Sequence, residues 1–98
     1  MMIKGFGWDN GNWPKCAKHG VSKAEIEFVL SDDPLVLPDK ASGGIEVRFN
    51  AVGRNDVGRY LFIVFMIREI AGDRFMRPIS ARYMHKKEIE AYERTIKI

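Results

Sequence analysis

Two arginines near the end of the chain enclose a short motif that is suited to phosphate binding. Residues 77–83 read RPISARY, so Arg77 and Arg82 stand five positions apart with the hydroxyl of Ser80 between them. Arginine presents a planar fork of donors that fits two oxygens of a phosphate or carboxylate at once. The motif follows a long apolar run that is typical of a strand, and it precedes a short predicted helix. It indicates chemistry on a polyanion, and RNA is the polyanion that we expect.

A second cluster supplies groups for proton transfer and base contact. Histidine titrates near neutral pH, so His19 is a candidate acid or base, with Lys18 beside it as an alternative donor. The alternative is a structural role, because a histidine that precedes a glycine at a helix end can simply cap backbone carbonyls. Trp8 could stack on a base or belong to the core. Asp9 is predicted to orient an arginine or His19 rather than to act as the general base.

Two further arginines, Arg59 and Arg68, are expected to lie at different distances from the reacting phosphate. Arg59 and Arg68 flank a central apolar run, which as a strand holds them about 30 Å apart, so they cannot serve the same phosphate. Arg68 lies across a predicted hairpin from Arg74 or Arg77, and we expect it to be the third catalytic cation. Arg59 is predicted to be a peripheral RNA contact or a structural residue.

Two further residues follow the arginine motif, and one alternative applies to the motif itself. Tyr83 could contact RNA or pack under a helix, and His85 begins the last predicted helix, where it could assist RNA binding. One arginine of the motif could instead form an internal ion pair with Asp9 or Glu46. In that case its role would be structural.

Composition sets the limits of these hypotheses. The chain has 98 residues, 46% hydrophobic and 30% charged, which predicts one globular domain over residues 1–98. A single cysteine, no apolar run of membrane-spanning length and no metal-ligand spacing lead us to expect no disulfide, membrane segment, metal or cofactor, and a cytoplasmic location. The net charge is +3, and every positive residue from 48 to 82 is an arginine. That block favours a phosphate-binding surface, the alternative being a solvated sheet face.

The hydrophobic pattern predicts an α+β domain with N-terminal helices, an antiparallel sheet and a C-terminal helix. Ser22 and Glu25 form a predicted capping box, Gly20 ends the preceding helix, and Pro78 marks a bulge or an edge strand. The predicted elements are a strand at 3–8, helices at 14–19 and 22–30, an edge strand at 35–37, a loop at 39–44, strands at 46–52, 59–67 and 75–82, with a hairpin turn at 71–73 before the last, and a helix at 85–96.

Several motifs together resemble one protein family. They are Trp8-Asp9, the Lys-His-Gly-Val run at 18–21, Glu-x-Arg-Phe at 46–49 and Arg-x-Ile-Ser-Ala-Arg at 77–82, and with them the chain resembles the BrnT toxins of type II toxin–antitoxin systems. The resemblance covers nearly the whole chain. It departs at residues 41–44, which are glycine-rich where relatives tend to carry histidine or acidic residues.

The resemblance implies a RelE-like fold and a ribonuclease that inhibits translation. It also implies a cognate BrnA-like antitoxin that neutralises the toxin and binds DNA, so that this chain meets DNA only through the complex, whose toxin could be a homodimer. Without metal ligands, we expect metal-independent cleavage. The alternative is a non-catalytic RNA- or protein-binding module whose arginine-rich cleft docks an acidic partner. A DNA-binding regulator is disfavoured, because no predicted helix has a basic face.

Overall fold

A computed structural model, which describes residues 3–39 and 47–96, shows a five-stranded sheet with helices on both faces. The predicted α+β class is confirmed. Residues 40–44 of the predicted loop, and Glu46, lie outside the described residues. In chain order the elements are β1 (Ile3–Phe6), a 3₁₀ helix (Lys15–His19), α1 (Lys23–Ser31), β2 (Leu35–Pro38), β3 (Arg48–Arg54), β4 (Tyr60–Ile70), β5 (Asp73–Tyr83) and α2 (Lys86–Ile96).

The sheet is mixed, which corrects the prediction of an antiparallel sheet. The strand order is β1-β5-β4-β3-β2, in which β1 runs parallel to β5 and the other pairs are antiparallel. The prediction of N-terminal helices is matched in part: after the short first strand, one of the two predicted helices is an α-helix and the other is a short 3₁₀ helix. Pairing between the first and last strands is a contact across the whole chain, for which the sequence carries no local signal. Strand β2 lies at the other edge, as predicted.

Helix α1 begins where the sequence indicates and covers one face of the sheet. The Ser22 hydroxyl accepts a hydrogen bond from the Glu25 backbone N–H at 3.1 Å, and the Glu25 carboxylate accepts one from the Ser22 N–H at 3.0 Å, which confirms the capping box. Ile26 and Val29 are buried against β3 and β4. Burying each such side chain contributes about 1.5–3 kcal/mol. A Cβ on Gly53 would lie 2.9 Å from Val29, so glycine lets the helix approach the sheet.

A bulge at Pro78 decides which side chains of β5 share a face. Val64 of β4 pairs with Ser80 but the next residue, Phe65, pairs with Pro78, so Ile79 is the extra residue. Because β5 lies between β1 and β4, the prediction of a bulge is confirmed and the edge alternative is not. The bulge shifts the alternation by one residue, so the arginines on its two sides point to the same face.

The connection between β4 and β5 is a hairpin turn at the predicted place, but it has two residues, because Asp73 of the predicted turn already belongs to β5. Ala71 and Gly72 have φ values of 53° and 85°, the left-handed pair that a type I′ hairpin requires. This turn fixes the register of the long hairpin and so the position of every arginine on it. No helix in the described ranges is long and apolar enough to cross a membrane.

Candidate functional site

Three predicted catalytic arginines share the sheet face opposite α1. Arg82 pairs in register with Phe62, Arg77 with Met66, and Arg68 stands two residues beyond Met66 on β4. We call the surface formed by Arg68, Arg77 and Arg82 the arginine face. The backbones of Arg77 and Arg82 are about 13 Å apart along the strand, with the exposed Ser80 midway.

Arg48 of β3 also lies on the arginine face, across Met66 from Arg77. It was not among the predicted site residues. In the predicted strand at 46–52, Arg48 alternates with the apolar Val47 and Phe49, so the signal for its place on the polar side is present in the sequence.

Asp9 joins two of the three arginines. Its Oδ1 lies 2.9 Å from Nη2 of Arg77, and its Oδ2 lies 3.8 Å from Nη1 of Arg68. The Arg77 side chain is only 14% exposed, whereas that of Arg68 is 49% exposed. The internal ion pair with Asp9 considered for the motif is therefore present at Arg77, and the more accessible cation is Arg68.

Asn12 holds Asp9 in place and was not among the predicted site residues. Its side chain is 2% exposed and its Nδ2 donates to the carbonyls of Gly7 and Pro78 at 2.8 and 2.9 Å. Its Oδ1 accepts the Asp9 N–H at 2.8 Å. One amide thus ties the end of β1, the bulge and the turn that carries Asp9. The Asn10-Gly11-Asn12 sequence between the predicted strand at 3–8 and the predicted helix at 14–19 is typical of a turn, but it does not show which side chain faces inward.

The space under this turn is too small for a side chain at position 11. A Cβ on Gly11 would lie 2.8 Å from Nη2 of Arg77 and 3.0 Å from Oδ1 of Asp9. The glycine therefore leaves room for the arginine–carboxylate pair itself. Arg77 also lies near the buried Cys16, where burial raises the pKa of the thiol and the arginine charge opposes that rise.

Arg82 is held by a carboxylate from α2. Its Nη1 and Nη2 donate to Oε1 and Oε2 of Glu88, both at 2.8 Å, and its guanidinium lies 4.8 Å from the centre of the Phe62 ring. The His85 backbone N–H also donates to Oε1 of Glu88 at 2.9 Å. These hydrogen bonds, that of Arg82 first, lower the pKa of Glu88 to about 2. The exposed His85 thus stands beside the Arg82 pair, at the start of α2.

Three predicted RNA-binding residues lie on the α1 side of the sheet, apart from the arginine face: Trp8, Arg59 and Tyr83. The Tyr83 hydroxyl donates to both Glu25 oxygens at 2.9 and 3.0 Å, and the guanidinium of Arg59 lies 3.6 Å from the centre of the Tyr83 ring. Burial, and then the bond to Glu25, raise the pKa of Tyr83. The structure therefore brings Arg59 and Tyr83 into contact with each other. The Tyr83 hydroxyl, however, is bound to Glu25.

Trp8 is occupied by contacts of its own. Its Nε1 donates to Glu27 of α1 at 2.7 Å, the Trp13 ring meets it edge-on at 5.4 Å, and the Lys23 ammonium lies 5.2 Å from its centre. The ring also packs against the buried core. Trp8 is therefore partly buried at the edge of the core, and its stacking on a base stays a prediction.

Lys18 and His19 end the 3₁₀ helix, which packs against β5. Both side chains are exposed. Gly20 follows with φ 84°, and its own N–H caps the carbonyl of Ala17. The end of this helix is thus capped by the glycine backbone, which leaves the imidazole of His19 available.

The side chains of the arginine face offer hydrogen-bond donors and positive charge. In residues 3–39 and 47–96, no group of three or more His, Cys, Asp or Glu side chains is arranged to hold a metal ion. The chemistry that the described residues supply is neutralisation of an anion by guanidinium groups, with the hydroxyl of Ser80 between them.

Comparison with known proteins gives one family. The model of a family described as "Ribonuclease toxin, BrnT, of type II toxin-antitoxin system" matches residues 8–88. The matched region begins one residue before Asp9, contains the whole arginine face and ends at Glu88. No curated protein matches the chain.

Proposed function

Because this chain belongs to the BrnT family of ribonuclease toxins of type II toxin–antitoxin systems, we propose that its arginine face binds and cleaves RNA without a metal ion. The observation that supports this is the bulge at Pro78, which gathers Arg68, Arg77 and Arg82 on one sheet face. Guanidinium groups can neutralise a pentavalent phosphate by charge-assisted hydrogen bonds alone.

The reaction proposed is attack by the ribose 2′-oxygen on the adjacent phosphorus. The P–O2′ bond forms, the P–O5′ bond breaks, the 2′ proton passes to a base and an acid protonates the leaving 5′ oxygen. The products are a 2′,3′-cyclic phosphate and a 5′-hydroxyl. Arg82 contacts the oxygens of the reacting phosphate, and Arg77, oriented by Asp9, adds positive charge. Arg68 lies six residues along β4 from Phe62, the partner of Arg82, which is roughly 20 Å, so it contacts another phosphate of the same RNA strand. Losing one such preorganised donor typically costs roughly 10²–10³ in rate.

His19 and Lys18 remain our candidates for proton transfer. They end the helix that packs on β5, the strand that carries Arg77 and Arg82. Glu88 is a weak base, because a carboxyl whose pKa is about 2 has little affinity for a proton at neutral pH. A substitution His19→Gln that lowers the cleavage rate and removes a limb of the pH–rate profile would support the imidazole.

In the cell, we propose that cleavage inhibits translation in the cytoplasm and that a cognate BrnA-like antitoxin neutralises the toxin. An acidic segment of that antitoxin, laid over the arginine face, supplies the complementary charge. DNA is reached only through the antitoxin. The mixed sheet with its antiparallel hairpin and flanking helices is compatible with the RelE-like fold that we propose for the family.

The test is RNA cleavage by the purified protein in excess EDTA, with the product ends identified by mass spectrometry. We expect cleavage that leaves 2′,3′-cyclic phosphates. A matched control is Arg74→Ala, because Arg74 is an exposed arginine of the same strand on the opposite face, where it pairs with Glu69 at 3.9 Å. Cleavage that requires added magnesium, or leaves only 5′-phosphates, would contradict the mechanism.

A non-catalytic module is the second candidate, and one observation favours it. Arg82 already binds a carboxylate in two-point geometry, so the face is complementary to acidic side chains as well as to phosphate. Tight binding of an acidic peptide without any cleavage of RNA would support this candidate over the enzyme.

A further inference from the structure

The contact between α2 and Arg82 has consequences for the resting protein. We propose that Glu88 occupies the phosphate position of Arg82 in the free toxin, so that RNA has to displace this carboxylate, and with it the start of α2, to reach the site. The inference rests on the proposed function, since it takes Arg82 to be a phosphate ligand. It makes α2 a self-inhibiting element of the same site.

The geometry distinguishes Glu88 from the other carboxylate on the arginine face. Glu88 takes both terminal nitrogens of Arg82 at 2.8 Å, and these are the donors that a phosphate needs for two-point binding. Asp9 takes a single nitrogen of Arg77 at 2.9 Å and stands 3.8 Å from Arg68. Asp9 therefore orients arginines and leaves donors available, whereas Glu88 fills the fork of Arg82.

The attachment of α2 is suited to displacement. None of its residues is buried. Beyond Glu88, its contacts with the sheet include an edge-on pair of the Tyr60 and Tyr92 rings at 5.5 Å and the Glu93 carboxylate, which lies 3.3 Å from the Tyr60 hydroxyl and 3.9 Å from Arg54. Exposed ion pairs contribute little to stability, and an 11-residue helix is marginal by itself. Detaching α2 thus leaves the core on the other face of the sheet intact.

Substituting Glu88 by glutamine tests the proposal with little change of shape. Glutamine keeps the Oε1 that accepts the His85 N–H, but it removes the charge that competes with phosphate. The control is Glu90→Gln, an exposed position of the same helix with the same change of net charge. The probe is a mixed-sequence single-stranded 2′-O-methyl RNA, which lacks the 2′ nucleophile and so reports binding without cleavage.

We expect Glu88→Gln to bind this RNA roughly two- to fivefold more tightly than Glu90→Gln does, the ratio that releasing one partly exposed ion pair allows. In wild-type protein, saturating RNA should also increase hydrogen exchange of the α2 amides. Equal affinities of the two variants, weaker binding by Glu88→Gln, or α2 amides that stay protected in the complex would each overturn the proposal.

An Arg82→Ala variant in the same assay separates the two levels of the argument. If Arg82→Ala weakens RNA binding while Glu88→Gln behaves like Glu90→Gln, the phosphate site stands and the self-inhibition is refuted. If Arg82→Ala binds RNA as wild type does, Arg82 is not a phosphate ligand, and both the assignment of Arg82 and the role of Glu88 are refuted.

Discussion

Acid should weaken this protein through the Arg82–Glu88 pair, and Glu88→Gln should remove that part of the effect. The pKa of Glu88 falls from 4.5 to about 2 in the fold. At 1.36 kcal/mol per pKa unit, such a fall sets an upper bound of about 3 kcal/mol. About a third of each side chain is exposed, so solvent screening reduces the contribution to on the order of 1 kcal/mol.

The sign follows from the direction of the shift. A carboxyl whose pKa is depressed by folding stabilises the protein above its unfolded-state pKa, here near 4.5, and that stabilisation is lost as pH falls through the folded value of about 2. At pH 7 we therefore expect Glu88→Gln to be less stable by on the order of 1 kcal/mol, a shift of about 4–8 °C in Tm for a domain of this size.

Urea unfolding at a series of pH values from 7 to 2 measures this contribution. Wild type and Glu90→Gln should lose more unfolding free energy between pH 5 and pH 2 than Glu88→Gln does, because only the latter lacks the titrating carboxyl of the pair. Parallel pH profiles for all three proteins would refute the assignment of acid sensitivity to this ion pair.

The other predictions concern the arginine face and its partner. Arg82→Ala should lower the rate of RNA cleavage by roughly 10²–10³ in a folded protein, and Arg82→Lys should restore it only in part, because a point charge cannot reproduce the fork; a folded, fully active alanine variant would remove Arg82 from the site. Gly11→Ala should reduce cleavage with little change in Tm, since the new Cβ displaces the flexible Nη2 of Arg77; unchanged cleavage would show that the position of Arg77 does not matter. In stopped-flow experiments, the association rate of toxin and antitoxin should fall as salt rises, because exposed charges are screened over roughly 8 Å at physiological ionic strength. A rate that is flat with salt would mean that the antitoxin binds away from the arginine face.

Features of the fold that depend on neighbours in sequence were predictable. The capping box of Ser22 and Glu25, the αL residue Gly20 and the hairpin turn at Ala71–Gly72 are each determined by a few adjacent residues, and all three are present. The parallel pairing of β1 with β5 was not predicted. It depends on packing over the full length of the chain, and β1 has only four residues with which to signal it.

The sequence predicts the arginines of the candidate site, but not the residues that hold them in place. The sequence contains these arginines and the proline of the bulge, but a common face for Arg68, Arg77 and Arg82 also depends on the hairpin register and on Pro78 forming a bulge rather than an edge strand, and the sequence left that choice open. Glu88 is different, because its approach to Arg82 depends on the angle at which the chain leaves β5 and enters α2. Asn12 is hidden for a similar reason, since an inward-facing side chain in a turn looks like any other polar turn residue.

The contact between Glu88 and Arg82 explains how the arginine face can bind several kinds of ligand. A guanidinium fork accepts a carboxylate or a phosphate, and at neutral pH a phosphodiester carries no more charge than Glu88 does. Glu88 has the advantage of being tethered to the same chain, which gives it a high effective concentration at Arg82. A single phosphate therefore competes poorly, whereas an RNA strand engages Arg68 and Arg82 together and releases counterions from several phosphates at once. An acidic antitoxin segment gains from the same multiplicity. Polymeric anions should thus displace Glu88 from Arg82 more readily than small anions do. The arginine face should therefore bind RNA but bind free nucleotides only weakly.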